Sequence, residues 1–173
     1  MSKIILYHGT IADFSKVDLK HAKANKDFGR GFYLTTDLSQ AHAWANRMKI
    51  RQLQKGYDTS GFIYSFRLDT QVLRTFNIHT FKGANRSWLD YIISNRTKDR
   101  NGIADYDIVI GKVADANAQV LIDEYVSYGD YSESAKDRLI VRLKANNLTD
   151  QYCFKTTKAI EILNSTGIQR KVI

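Results

Sequence analysis

Two short stretches carry the residue types that can do chemistry: Leu6-Tyr7-His8-Gly9-Thr10 and the run DFGRGFYLTT from Asp27 to Thr36. In the first, a glycine after a histidine at a strand end lets another molecule approach the backbone closely. The imidazole can donate to a ribose hydroxyl, the Gly9 N–H and C=O can pair with an amide, and Thr10 adds a hydroxyl. A strand ending in a turn beside a solvated histidine has the same letters. In the second stretch Gly29 and Gly31 flank Arg30 in a tight loop, and Phe32-Tyr33-Leu34 enters a strand. Glycine-rich loops before strands often only satisfy a turn. Asp27-Phe28-Gly29 invites a kinase reading, which fails because no glycine-rich nucleotide loop precedes it and no HRD-like catalytic loop follows.

Other chemistries are excluded by composition. One cysteine, Cys153, forbids an internal disulfide and a cysteine metal cluster. The four histidines, His8, His21, His42 and His79, show no ligand spacing such as HExxH. No metal is expected.

Together the two stretches resemble the first two signatures of the ADP-ribosyltransferase fold in its diphtheria-toxin and poly(ADP-ribose) polymerase branch: YHGT, then GRGFYLTTDLSQAHAWA about 23 residues later. The whole pattern is more similar still to the bacterial family DUF3990. The matching stretches, in order, are LYHGT, DFGRGFYLTTDLSQAHAWA, SWLDYIISNR, YDIVIGKVADAN and DQYCFKTTKAIEIL, and they span nearly the whole chain. The resemblance implies an α+β fold of split antiparallel sheets with flanking helices around a cleft for NAD, which is the substrate. It implies binding by His8, Gly9, Thr10, Gly31, Phe32 and Tyr33. In that carry-over His8 donates to the adenosine ribose, the Gly9 backbone pairs with the nicotinamide carboxamide, and Tyr33 stacks on the cationic nicotinamide ring. Such stacking is worth about 0.5–2 kcal/mol.

The third catalytic position departs from the branch, which usually has a glutamate opening a late strand. Gln151 opens QYCFKTTKAIEIL, a strand running into a helix, as that context requires. Glu124 offers the literal Glu-Tyr pair, but Leu121, Tyr125 and Tyr128 fall at helical spacing around it, so Glu124 reads as a solvated helix carboxylate. The expected trio is therefore His8, Tyr33 and Gln151. A glutamine can accept from a ribose 2′-hydroxyl but cannot serve as a general base. Nitrogen acceptors fit that limit better than hydroxyls, and a catalytically silent NAD, ADP-ribose or partner-binding module is the rival reading.

These residues need elements to hold them. Ile4 to His8 reads as a strand, residues 11 to 29 as a loop or short helix, and Gly31 to Thr36 as a second strand. Asp37 and Gln40 form a capping box for a helix with Ala41, Trp44, Ala45 and Met48 on its apolar face, stopped by Gly56. GFIYSFRLD alternates as a half-buried strand. Trp88, Leu89, Ile92 and Ile93 mark a helix, and DIVIGKV a strand in which Gly111 marks a bulge. Asp115 and Asn117 can cap the next helix. Asp130 and Glu133 frame a further one carrying Ala135, Leu139 and Leu143, which Asn146-Asn147 ends. QYCFKTT and a short helix from Lys158 to Leu163, closed by Gly167, complete the chain. Trp44 and Trp88 are expected in the core, and Cys153 packed rather than reactive. Nothing divides the sequence, so residues 1–173 read as one domain.

With 43 % apolar and 12 % aromatic residues, the chain can fill a single core. Twenty-six Lys and Arg against 18 Asp and Glu give a formal charge of +8, which favours encounter with polyanions over any fold statement. The basic residues gather modestly at Arg47-Met48-Lys49-Ile50-Arg51 and around Arg96 to Arg100. A solvated surface is the simplest reading of them, and the acceptor, protein or nucleic acid, leans towards nucleic acid. The amino-terminal apolar run is too short for a signal or a membrane span of about 20 residues, so a cytoplasmic protein without membrane contact is expected. The fold's frequent use in toxins and defence adds the expectation of a toxin role with a neutralising partner, an antitoxin.

Overall fold

The computed structural model describes residues 2–97, 106–113, 116–144 and 148–173. Readings made on Lys98, Asp99, Arg100, Ala114, Asp115, Asn146 and Asn147 lie outside these. In chain order the elements are β1 (Lys3–Thr10), β2 (Phe32–Thr35), α1 (Leu38–Leu53), β3 (Phe62–Asp69), α2 (Thr70–Leu73) and β4 (Ile78–Thr80). They continue with α3 (Arg86–Thr97), β5 (Ile108–Lys112), α4 (Ala116–Tyr128), α5 (Glu133–Lys144), β6 (Asp150–Phe154), α6 (Thr157–Ser165) and β7 (Gln169–Val172). The fold is a mixture of helix and strand, with one open seven-stranded sheet in the order β4-β5-β6-β2-β1-β3-β7. All neighbours run antiparallel except β4 and β5, which are parallel.

Local chemistry explains most boundaries. The Asp37 carboxylate accepts from the Ser39 and Gln40 amides, satisfying two of the orphan donors that start α1. Gly56, at φ +85°, ends that region in a conformation only glycine adopts cheaply. Thr156 caps α6 by accepting from the Ala159 amide. At α5 the expected Asp130–Glu133 box gives way to a different device. Asp130 accepts from the Ser132 amide at 3.0 Å, and the Ser132 hydroxyl accepts from the Ala135 amide at 3.3 Å. Gly111 is no bulge either: it sits in regular register opposite Gln151, and a Cβ there would lie 3.0 Å from the Phe28 ring.

The feature that positions the site is a seam. Most neighbouring strands share three to eight register pairs, but β1 and β2 share one, Tyr7 with Thr35. On one face of the sheet a single apolar cluster runs across this seam, with Leu6, Tyr64, Phe66 and Leu68 meeting Leu34, Ile108 and Phe154 under α6. On the other face there are two clusters. Ala41 and Ala45 of α1 pack on Ile63 and Tyr7. Trp88, Leu89 and Ile92 of α3, with α4 and α5, pack on Val109 and Cys153. The second face is therefore divided above the seam, with α1 on one bank and α3, α4 and α5 on the other.

Trp88 is fully buried, as expected, and its indole donates to the Lys112 carbonyl at 3.1 Å. Trp44 is not: it is 44 % exposed. Two small alanines, Ala41 and Ala45, take the contact with the sheet, and at 100° per residue Trp44 falls on the flank of the helix rather than beneath it.

Candidate functional site

His8, Tyr33 and Gln151 all stand at or beside the seam, but they do not share one face. Side chains alternate along a strand. The Tyr7–Thr35 and Thr35–Gln151 pairs therefore put Tyr7, Gly9, Tyr33, Thr35 and Gln151 on the divided face. His8 points to the other face, where its ring lies 4.4 Å from that of Phe32 and 6.2 Å from that of Phe14. What ties it to the rest is its Nδ1–H, which donates to the Tyr33 carbonyl at 2.8 Å, across the gap where strand pairing has stopped. Burial pulls the His8 pKa below the usual histidine value, partly opposed by that bond. The ring is neutral at pH 7 with its remaining nitrogen, Nε2, an acceptor. A sugar hydroxyl would donate to His8 rather than accept from it, the reverse of the sequence expectation.

Tyr33 offers a ring rather than a hydroxyl. Its O–H donates to the Gly29 carbonyl at 2.6 Å and accepts from the Phe28 amide at 3.0 Å. The phenol thus locks the Gly29–Gly31 turn onto β2. Burial, then the neighbouring Cys153 and Asp27, push its pKa well above the ordinary tyrosine value, so it does not ionise. The turn needs its glycines. Gly29 is at φ +78°, and a Cβ on Gly31 would sit 2.3 Å from the Cys153 sulfur. Gly9 is equally constrained, since a Cβ there would lie 1.9 Å from the Ala41 carbonyl of α1. It lets α1 lie directly on β1, and no β2 residue pairs with it. Thr10 is spent locally, accepting from the Ala12 amide at 3.1 Å, and Phe32 packs against His8 and Phe66.

Gln151 is buried on β6 beside Thr35, and its Nε2 donates to Asp27 Oδ2 at 3.5 Å. The other Asp27 oxygen is held by Arg96, whose Nε donates to it at 3.1 Å and whose Nη2 donates to it as well. Arg96 also reaches Asp123 and Gln119 of α4, at 2.9 and 2.6 Å. This places a carboxylate next to Gln151. It orients the amide as well: with Nε2 turned to Asp27, the end that can accept, Oε1, points away from the carboxylate. In the sequence Asp27 enters only as the start of the Asp27-Phe28-Gly29 triplet, whose kinase reading fails. No local signal could mark its role, because Arg96 and Gln151 lie 69 and 124 residues away. Glu124 is exposed on α4, away from the strand register of the seam, as its helical context predicts. Asp107 is structural: it accepts from the Thr156 hydroxyl at 2.7 Å and the Asn77 amide at 3.0 Å, which lowers its pKa. Cys153 is wholly buried, its thiol pushed up to about 12 by burial, so it is packed and unreactive.

A cleft of about 490 Å³ also opens on the face that carries His8, lined by Asp13, Phe14, Ser15, Tyr64, Ile168 and Arg170. Within it Phe14 stacks on Tyr64 at 3.9 Å between ring centres, and Asp13 pairs with Arg170. None of the expected site residues lines it. Among the described residues no group of three or more His, Cys, Asp or Glu side chains could hold a metal, and no helix is long and apolar enough to cross a membrane.

The family model described as "Protein of unknown function (DUF3990)" matches residues 4–165. No curated protein and no solved structure matches the chain.

Proposed function

Because this chain belongs to the DUF3990 family over nearly its whole length, and because that sequence pattern resembles the NAD-cleaving branch described above, we propose that it is a mono-ADP-ribosyltransferase. NAD is its substrate, and the divided face above the β1–β2 seam is its site. The observation that carries the reading is the juxtaposition there of the Tyr33 ring, the unpaired Gly9 edge and the Gln151 amide, on strands joined by one residue pair. The glycosidic bond between the ribose C1′ and the nicotinamide nitrogen breaks, its electron pair leaving with neutral nicotinamide. A lone pair on the acceptor forms the new bond at C1′, and the acceptor's proton passes to water. Tyr33 stacks on the cationic nicotinamide in the ground state. Gln151, oriented by Asp27, accepts from the ribose 2′-hydroxyl as positive charge develops on the sugar. His8 acts from the opposite face, setting the width of the seam through the Tyr33 carbonyl.

Incubation with labelled NAD and, separately, RNA, DNA and cell lysate tests this. Transfer of label or release of nicotinamide, abolished by Tyr33→Ala with the fold intact, supports the enzyme. A second reading, a binding module without turnover, is favoured by one observation: the third position is an amide that cannot take a proton. NAD or ADP-ribose raising Tm without nicotinamide release would establish it instead.

A further inference from the structure

We infer that the flank of α1 carrying Trp44, Arg47 and Arg51 is a seat for single-stranded nucleic acid, the strand that presents the acceptor. The inference rests on the transferase reading only for the purpose of the seat, not for its existence. Among the described helices longer than four residues, α1 alone contains no Asp or Glu. Arg86, Arg96, Arg170, Lys112 and Lys136 elsewhere are paired with carboxylates. Arg47, Arg51 and Lys55 are exposed and meet no carboxylate among the described residues. Uncompensated positive charge of this kind is held for an anion or left to solvent.

Trp44 separates those two readings. An exposed indole is costly to leave in water, yet this one stands 44 % exposed with the Arg47 guanidinium over its ring at 5.1 Å. Cation and aromatic face are thus presented together, which suits a phosphate and the base attached to it. Placement points to the same ligand. Lys49 turns to the β3–β7 side, where its Nζ donates to the Ile173 carbonyl at 2.9 Å. At 100° per residue Trp44 and Arg51 lie within about 20° of each other and Trp44 lies about 140° from Lys49, so the Trp44 flank faces the seam and β2. Trp44 is also one turn beyond Ala41, the residue whose carbonyl sits on Gly9. From Trp44 to Arg51 the ridge runs about 10 Å along the helix, the length of a short run of nucleotides. A nucleotide answers both features within one residue, its phosphate the arginines and its base the indole.

Fluorescence anisotropy with a labelled single-stranded RNA or DNA oligonucleotide, without NAD, tests the seat. Wild type should bind with log affinity falling linearly in log salt between about 50 and 200 mM. Arg47→Glu/Arg51→Glu should weaken binding at least tenfold and lower the salt slope by about 1.4, two phosphate contacts on a single strand. Trp44→Ala should weaken it about tenfold and leave the slope unchanged, with Trp44→Phe recovering most of the loss. Arg138→Glu/Arg142→Glu on α5 makes the same change of charge at two exposed positions and should cost little. Equal losses from the α1 and α5 pairs would mean that net charge alone binds, and the seat would be refuted. Poly-glutamate competing as well as the oligonucleotide, or indifference to Trp44→Ala, would also overturn it. Thermal melts confirm that each variant is folded. Nicotinamide release, followed separately, keeps the transferase reading distinct: either result can fail while the other stands.

Discussion

Replacing Gln151 by glutamate sets a second carboxylate beside Asp27, and the structure says that this destabilises the fold at neutral pH. The amide it replaces donates to Asp27 Oδ2 at 3.5 Å in a buried position. Two carboxylates at that separation repel by about 5 kcal/mol at an effective dielectric of about 20. Arg96 on the far oxygen of Asp27, taken as about 2 Å more distant, returns about 3 kcal/mol of attraction, leaving a net cost of about 2 kcal/mol. That cost raises the pKa of the introduced carboxyl by about 1.5 units from the free value near 4.3, and desolvation adds to it. An acid whose folded pKa is raised costs nothing below its unfolded pKa, and its penalty grows as pH rises through the folded value. Gln151→Glu should therefore melt like wild type near pH 4.5 and fall behind it by about 4–8 °C at pH 7.5, at about 2–4 °C per kcal/mol for a chain of this size. Asp27→Asn in the same background should remove most of that pH-dependent gap, while costing some stability of its own through Arg96; a double-mutant cycle separates the two. A Gln151→Glu melting curve running parallel to wild type from pH 4.5 to 7.5 would refute the juxtaposition, and with it the idea that Asp27 orients the amide.

Tyr33→Phe keeps the ring but removes both bonds from the phenol to the 28–29 turn, so it should lower stability by about 1–3 kcal/mol in thermal melts while NAD-dependent signal survives. His8 has a depressed pKa in the fold, so the stability present above about pH 6.5, its unfolded value, should be lost as pH falls towards the folded value. His8→Gln, which can still donate to the Tyr33 carbonyl, should flatten that acid-side decline when its Tm profile is subtracted from wild type; an unchanged profile would show that His8 titrates freely. Cys153, buried with its thiol raised to about 12, should remain unlabelled by an aromatic disulfide reagent at pH 8 until denaturant unfolds the chain. Rapid labelling of the native protein would place it at an open surface.

What the sequence reveals follows the range of its signals. Phe62, Tyr64, Phe66 and Leu68 alternate with polar or smaller residues, and β3 buries that set as the two-residue period demands. Asp37 lies within three residues of the amides it caps, so its role is local and readable; Thr156 is as close to its amide, yet the sequence reading starts the last helix later, at Lys158. Strands β4 and β7 carry no such signal because they are short and without alternation; β4 has three residues, two of them half-buried, and β7 is exposed at all four positions. Helix α2, at four residues, is below the length at which a period can be seen. Trp44 misleads because helical spacing names a face, and only the tertiary contact decides whether small Ala41 and Ala45 or the large indole meets the sheet. At the site the glycines are legible as close approaches, yet what approaches them, the Ala41 carbonyl and the Cys153 sulfur, is not. The Asp27–Gln151 contact joins residues 124 apart and has no signature in either neighbourhood.

The one-pair junction in the middle of the sheet has a bearing on how this molecule comes together. Strands β1, β3 and β7 lie to one side of it and β2, β4, β5 and β6 to the other, so the chain passes from side to side four times: β1 to β2, β2 to β3, β3 to β4 and β6 to β7. Neither half is a continuous length of polypeptide, and neither can be excised or made alone. Where hydrogen bonding is thinnest the backbone itself does the stitching, and the halves cannot drift apart without breaking four connections.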